Sequence, residues 1–218
     1  MRYALVNGEK VDPNPKLRGV CRGCSEEVTS KCGKHKVWHW AHLCGTHCDK
    51  WWEPETQWHR DWKDRFPKDW QEVPARDPAT GELHIADVKT LHGLVVEFQH
   101  SNIHPDEVQA RENFYDNMVW VVDGRKSESD LSFFRLGLAY NQAGEGLHRK
   151  YGRSRLFHRW HTRKPVFLDF GADGLWQVVR FDPATDRAQL QLLDIDEFVE
   201  AVALGIHDFV AEGGPAIA

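Results

Sequence analysis

The sequence predicts a mixed chain of the α+β/α/β class: a mixed β-sheet core flanked by helices, with a small module before it and a β-hairpin and helix after it. Three observations predict this. All five cysteines lie between Cys21 and Cys48, mixed with histidines. Two short β-prone runs flank Leu91-His92-Gly93. A strand, a helix and a second strand then follow between 94 and 122. The expected segments are a metal-binding module over 1–50, a core over 51–124 and an extension over 125–218.

The first twenty residues read as a short strand from Tyr3 to Val6, a turn at Asn7-Gly8 and a proline-broken loop. The pairs Cys21/Cys24 and His39/His42 each enclose two residues. In a tight knuckle that spacing lets both side chains reach one ion. A turn at Gly33 with β-prone flanks lies between them. Two knuckles joined by a hairpin make a zinc-ribbon-like module with Cys21, Cys24, His39 and His42 as ligands. Cys44, His47 and Cys48 follow at once and are alternatives to His39 or His42. The plainer reading is a buried cysteine pair beside surface histidines. A closed four-ligand zinc site is structural and adds folding energy to so small a module. Clustered cysteines with histidine argue for metal rather than a disulfide scaffold.

Residues 53–66 read as a helix, with Pro54 in the first turn and an acidic entry. Trp58, Trp62 and Phe66 recur every fourth residue as a buried stripe. Glu55, His59 and Lys63 form a polar stripe beside it, which spacing alone assigns to pairing on a solvated face. A strand is expected near Trp70 to Val73, then a turn from Asp77 to Gly81.

The hairpin about Leu91-His92-Gly93 sets Thr90 opposite Leu94, because glycine takes the left-handed position of a three-residue loop. The same register sets Asp87 opposite Glu97. Side chains alternate with period two, so Asp87, Lys89, Glu97 and Gln99 share one face, while Leu94, Val96 and Phe98 face a core. Like charges directly opposite destabilise a sheet unless a cation sits between them. Hard oxygen ligands suit Mg²⁺ or Mn²⁺. The bland alternative is a solvated hairpin face.

Pro105, Asp106 and Glu107 start a helix over 105–116, and MVWVVDG then forms a buried strand. The resulting βαβ unit has parallel strands. Residues 125–165 read as a basic, loop-rich segment in which FRLGLAY is a short helix. A hairpin follows over 165–193, then a helix from Asp196 to Asp208 and a disordered tail, AEGGPAIA.

The net charge of −5 argues against a nucleic-acid binder, but its distribution does not. Lys and Arg exceed Asp and Glu by four over 1–50 and by seven over 125–165. Acids exceed bases by eight over 51–124 and again by eight over 166–218. Basic segments bracketing an acidic one fit a phosphate-binding surface around a carboxylate metal site. No apolar run is long enough to span a membrane, and the start does not read as a signal peptide, so a cytoplasmic protein is expected.

Taken in order, these motifs resemble the competence protein CoiA-like family of the PD-(D/E)xK nuclease superfamily. The resemblance rests on Cys21, Cys24, HWAH at 39–42, His59, Lys63, Ala86-Asp87-Val88 and Val96-Glu97-Phe98-Gln99 with Ser101. It continues through Arg111, Tyr115, WVVDG at 120–124 and KPVFLDFGADGLW at 164–176. It implies a restriction-endonuclease-like core in which Asp87 and Glu97 hold Mg²⁺ or Mn²⁺, which lowers the pKa of bound water and polarises the scissile phosphate. The superfamily's usual lysine is Gln99 here, and an amide can only position water or phosphate. Lys89 is then the candidate for the missing charge, and His59 for a phosphate or water contact. The implied function is metal-dependent hydrolysis of DNA in uptake, recombination or phage-related processing, with recombination proteins as partners. The alternatives are a DNA-binding accessory protein with a degenerate core, and a zinc-dependent adaptor that binds proteins through tryptophan-rich surface.

Overall fold

Asn7 and Gly8 both take positive φ, 52° and 84°. That is the signature of the two-residue hairpin turn whose twist matches its flanking strands. It joins β1 (Ala4–Val6) to β2 (Glu9–Val11), the first elements of the computed structural model, which describes residues 1–45, 48–139 and 147–209. The chain divides into two compact units, Met1–Lys89 and Thr90–Ala218. The described residues hold a mixture of β-strands with five α-helices.

In the first unit, β3 (Arg18–Val20), β4 (Glu27–Lys31) and β5 (His39–His42) complete a five-stranded antiparallel sheet in the order β2-β1-β3-β4-β5. Ala4, Cys21, Val28 and Trp40 form its core. α1 (Gln57–Lys63) follows, then β6 (Gln71–Arg76) paired antiparallel with β7 (Leu83–Lys89). α1 is shorter than the helix expected over 53–66. Thr56 fixes its start: the Thr56 hydroxyl accepts from the His59 N–H, and the His59 ring accepts from the Thr56 N–H. Trp58, Trp62 and Phe66 are buried as the stripe requires. The polar stripe does not lie on a solvated face, since His59 is 5% and Lys63 2% exposed.

The second unit begins with the hairpin loop. The Thr90 N–H donates to the Leu94 carbonyl at 2.9 Å, and Gly93 has φ 78°, as the loop reading expects. β8 (Val95–Gln99), α2 (Pro105–Phe114) and β9 (Met118–Asp123) form a βαβ unit with parallel strands. Both strands are buried along their whole length. Parallel strands covered on both faces read as continuous apolar runs, as MVWVV does.

The segment 125–165 is not chiefly loop. It holds α3 (Glu128–Gly137), β10 (Leu138–Ala139), β11 (Leu147–Lys150) and α4 (Arg155–Arg159). The Ser127 hydroxyl caps α3 by accepting from the Asp130 N–H. FRLGLAY supplies the end of α3 and then β10, while Tyr140 lies outside the described residues. β12 (Val166–Asp169) runs parallel to β9, and β13 (Leu175–Asp182) and β14 (Arg187–Leu193) follow antiparallel. The strand order in this unit is β10-β11-β14-β13-β12-β9-β8. α5 (Ile195–Ala203) ends sooner than expected, at Gly205 with φ 80°. The AEGGPAIA tail lies outside the described residues. No described helix is long and apolar enough to cross a membrane.

Candidate functional site

Four ligand atoms converge in the first unit. Cys21, Cys24, His42 and Cys48 each offer one, all within 4.8 Å of one another. Cys21 Sγ and Cys48 Sγ lie 3.6 Å apart, and Cys24 Sγ lies 3.2 Å from His42 Nε2. Two sulfurs bound about 2.3 Å from a tetrahedral zinc would stand about 3.8 Å apart. The spacing therefore suits that ion, and the Cys₃His cluster can hold a structural zinc. Cys21 and Cys24 sit on a tight knuckle between β3 and β4, closed by the Ser25 N–H donating to the Cys21 carbonyl. Burial pushes the Cys48 thiol well above its ordinary range, and the neighbouring Cys21 adds to the rise. A cation at the centre reverses this preference, because metal-bound thiols are deprotonated.

This ligand set corrects the expectation of Cys21, Cys24, His39 and His42. The HWAH segment is a strand, β5, rather than a knuckle. Side chains alternate along a strand, so residues three apart face opposite ways. His42 is buried toward the cysteines, whereas His39 Nδ1 lies 2.9 Å from the Val37 carbonyl oxygen. Cys48 takes the fourth place. Cys44 is exposed, and His47 lies outside the described residues.

The neighbour of Cys48 anchors this segment. Asp49 Oδ1 lies 2.8 Å from His84 Nδ1, and Asp49 Oδ2 accepts from the Ile85 N–H at 2.8 Å. The Trp51 ring stacks on His84. Burial alone would raise the Asp49 carboxyl, but His84 and the backbone donors outweigh it and hold it below the usual range. Asp49 is separated from β7 by more than thirty residues, and no short-range pattern announces the pairing.

Asp87 belongs to a second cluster in the same unit. Lys63 Nζ lies 3.1 Å from Glu72 Oε1 and 3.6 Å from Asp87 Oδ1, and it also pairs with Glu55. Arg60 is the other cation on Glu55. Burial opposes the charge on Lys63, but Glu72, Glu55 and Asp87 together hold its pKa above the ordinary range. Burial likewise opposes the charge on Glu72, yet Lys63 and the N–H groups of Arg2 and Tyr3 bring it down to about 2. Glu72 sits at φ 46°, a strained value for a non-glycine residue and one that its several partners help maintain. His59 flanks the cluster. Burial lowers its pKa, and its Nδ1 serves the α1 cap. Lys89 is half-buried at the end of β7.

Glu97 and Gln99 belong to the second unit. Glu97 is 4% exposed on β8 and accepts from Arg111 of α2 at 3.0 Å. Arg111 also pairs with Glu107. Gln99 is 1% exposed, and its amide donates to the Ser101 carbonyl and hydroxyl. Gln99 also lines a cavity of about 210 Å³ at the carboxyl ends of β8 and β9, with Lys126, Arg155 and Arg159 among its walls. Clefts at the carboxyl ends of parallel strands are the usual ligand position in such sheets.

The chain matches no protein-family model, curated protein or solved structure.

Cys48 stood among the alternatives to His39 in the sequence and takes its place here, whereas the Asp49–His84 anchor and the gathering of Glu55, Glu72 and Asp87 on Lys63 were not foreseen. The Glu55/His59/Lys63 spacing was the one available signal for the last.

Proposed function

We propose that the protein is a divalent-metal-dependent nuclease that hydrolyses phosphodiester bonds in DNA, with Asp87 and Glu97 as ligands of Mg²⁺ or Mn²⁺. The observation that carries this reading is the gathering of three carboxylates, Glu55, Glu72 and Asp87, on the buried ammonium of Lys63. Carboxylates brought together in this way favour a further cation beside them. The hairpin register read from the sequence brings Glu97 to the same face as Asp87. The Thr90–Leu94 hydrogen bond supports that register.

In this reading the metal supplies the activated water and the Lewis acid. Gln99 positions water or phosphate, and the cations of its cavity hold the strand. Lys89 supplies the positive charge that an amide lacks, while His59 holds the helix that carries Lys63. The βαβ unit β8-α2-β9 supports a restriction-endonuclease-like core. The gathering of Cys21, Cys24 and Cys48 with His42 as metal ligands suits a reducing cytoplasm. The resemblance supports a place in DNA uptake, recombination or phage-related processing, beside recombination proteins.

The Glu97–Arg111 ion pair favours a second reading. An arginine already compensates Glu97. A core so paired, with Gln99 in the lysine position, also suits an accessory protein that binds DNA without cutting it.

Manganese binding separates the two. Titrated into zinc-loaded protein and followed by electron paramagnetic resonance, Mn²⁺ is expected to bind the wild type and not Asp87→Ala or Glu97→Ala. A wild type that binds no Mn²⁺ would contradict the nuclease reading.

A further inference from the structure

We infer that the outer face of β11, β14 and β13 is a binding surface for the phosphates of a single-stranded nucleic acid. The inference rests on the proposed function for its ligand and adds the place where that ligand is held.

Register puts three arginines side by side. On β14, Gln189 pairs with Arg149 of β11 on one side and with Arg180 of β13 on the other. Arg187 lies two residues from Gln189, hence on the same face. Arg149, Arg180 and Arg187 are all exposed, while the intervening Ala188 and Leu190 are buried. Adjacent strands lie about 4.8 Å apart and residues rise about 3.4 Å along a strand, so the three guanidinium groups crowd one small area.

A β-bulge creates this arrangement. Val178 pairs with Leu190 and Arg180 with Gln189, so β13 carries one extra residue, Val179. That insertion flips the alternation of β13. Phe181 then falls on the buried side opposite Ala188, and Arg180 falls outward beside Gln189. Bulges commonly re-aim a side chain near a functional surface.

Arg149, Arg180 and Arg187 are exposed to solvent, and an acid lies among them. The nearest acid by register is Asp182, opposite Arg187. Its carboxylate accepts from the Ala184 N–H at 2.9 Å and the Thr185 hydroxyl at 2.6 Å, and it shares the groove with the arginines, where it offsets part of the Arg180 charge. Diagonal positions on a sheet lie within reach of long side chains, so the three arginines present their charge over one patch that a phosphate can span. The face also carries an aromatic ring: Tyr151 is exposed, with the Arg187 guanidinium 5.8 Å from its centroid. Arg149, Tyr151, Arg180 and Arg187 line a groove of about 360 Å³. Arginines track a phosphate backbone and an exposed ring stacks a base, a combination that suits single strands.

The test is the affinity of the full chain, in EDTA, for a fluorescent single-stranded oligodeoxynucleotide over a salt series, with cleavage measured separately in Mn²⁺. Each phosphate contact on a single strand contributes about 0.7 to the slope of log affinity against log salt. The triple substitution Arg149→Gln/Arg180→Gln/Arg187→Gln is expected to weaken binding and flatten that slope by about 2. The corresponding triple lysine variant should keep most of the slope, and Tyr151→Ala should weaken binding at every salt concentration. Wild-type binding that the glutamine variant leaves intact would overturn the inference whatever the cleavage result. Binding lost in the glutamine variant, by a wild type that cuts nothing, would support this surface and count against the nuclease reading. A wild type that binds no oligonucleotide would overturn the surface, and the separate cleavage result then decides the nuclease reading. Tighter binding to duplex, indifferent to Tyr151→Ala, would overturn the single-strand assignment.

Discussion

Lys63 Nζ stands 3.1 Å from Glu72 Oε1, between a helix and a strand, with both side chains almost wholly buried. Glu72 accepts in turn from the Arg2 and Tyr3 backbone N–H groups, so one carboxylate joins the start of the chain to β6.

The pair sets an acid limit on stability. Glu72 falls from 4.5 to about 2 in the folded protein. A depressed carboxyl contributes stability that is present above its unfolded value and lost as pH falls through the folded one. The contribution is on the order of 3 kcal/mol, taking about 1.36 kcal/mol per unit of pKa. Wild-type stability in urea is therefore expected to fall between about pH 4.5 and 2. Glu72→Gln should lower stability at pH 7 and flatten that part of the curve. An unchanged acid limb in the variant would refute the assignment.

The metal cluster makes a sharper distinction. Cys48→Ser is expected to lose most of the bound zinc on dialysis against a weak chelator and to melt at lower temperature. His39→Ala should retain a full equivalent of zinc, because His39 lies on the other side of β5. Elemental analysis of both proteins decides it, and zinc loss in His39→Ala with retention in Cys48→Ser would restore the ligand set expected from spacing.

These contrasts show where the sequence was legible. CRGC was legible because a turn with two intervening residues brings both thiols together whatever surrounds them. HWAH was misread because the same spacing on a strand sends its histidines to opposite faces, and only the pairing of β4 with β5 decides which applies. The hairpin loop about Gly93 and the run MVWVVD were legible, since turn chemistry and burial are local. The network on Lys63 was not. Its carboxylates come from a helix entry, from a strained residue on β6 and from β7, and only tertiary packing gathers them. The bulge at Val179 was equally silent, because nothing in LWQVVRF marks the residue at which alternation shifts.

Arg111 provides a third prediction. Its guanidinium is 5% exposed and faces Glu97. Arg111→Met removes from buried Glu97 the charge that Arg111 supplies. Removing one partner of such a pair costs about 3–5 kcal/mol. The double variant Arg111→Met/Glu97→Gln is expected to recover much of that loss in urea unfolding. A loss in the double variant equal to the sum of the two single losses would show that the pair is not coupled.

The most direct measurement is cleavage of supercoiled and linear DNA by the purified chain, with Mn²⁺, Mg²⁺ or EDTA, beside Asp87→Ala and Glu97→Ala. Metal-dependent cutting that both substitutions abolish, with zinc content unchanged, is the expected result. Cutting that survives both substitutions, or DNA that stays intact with every metal, would contradict it.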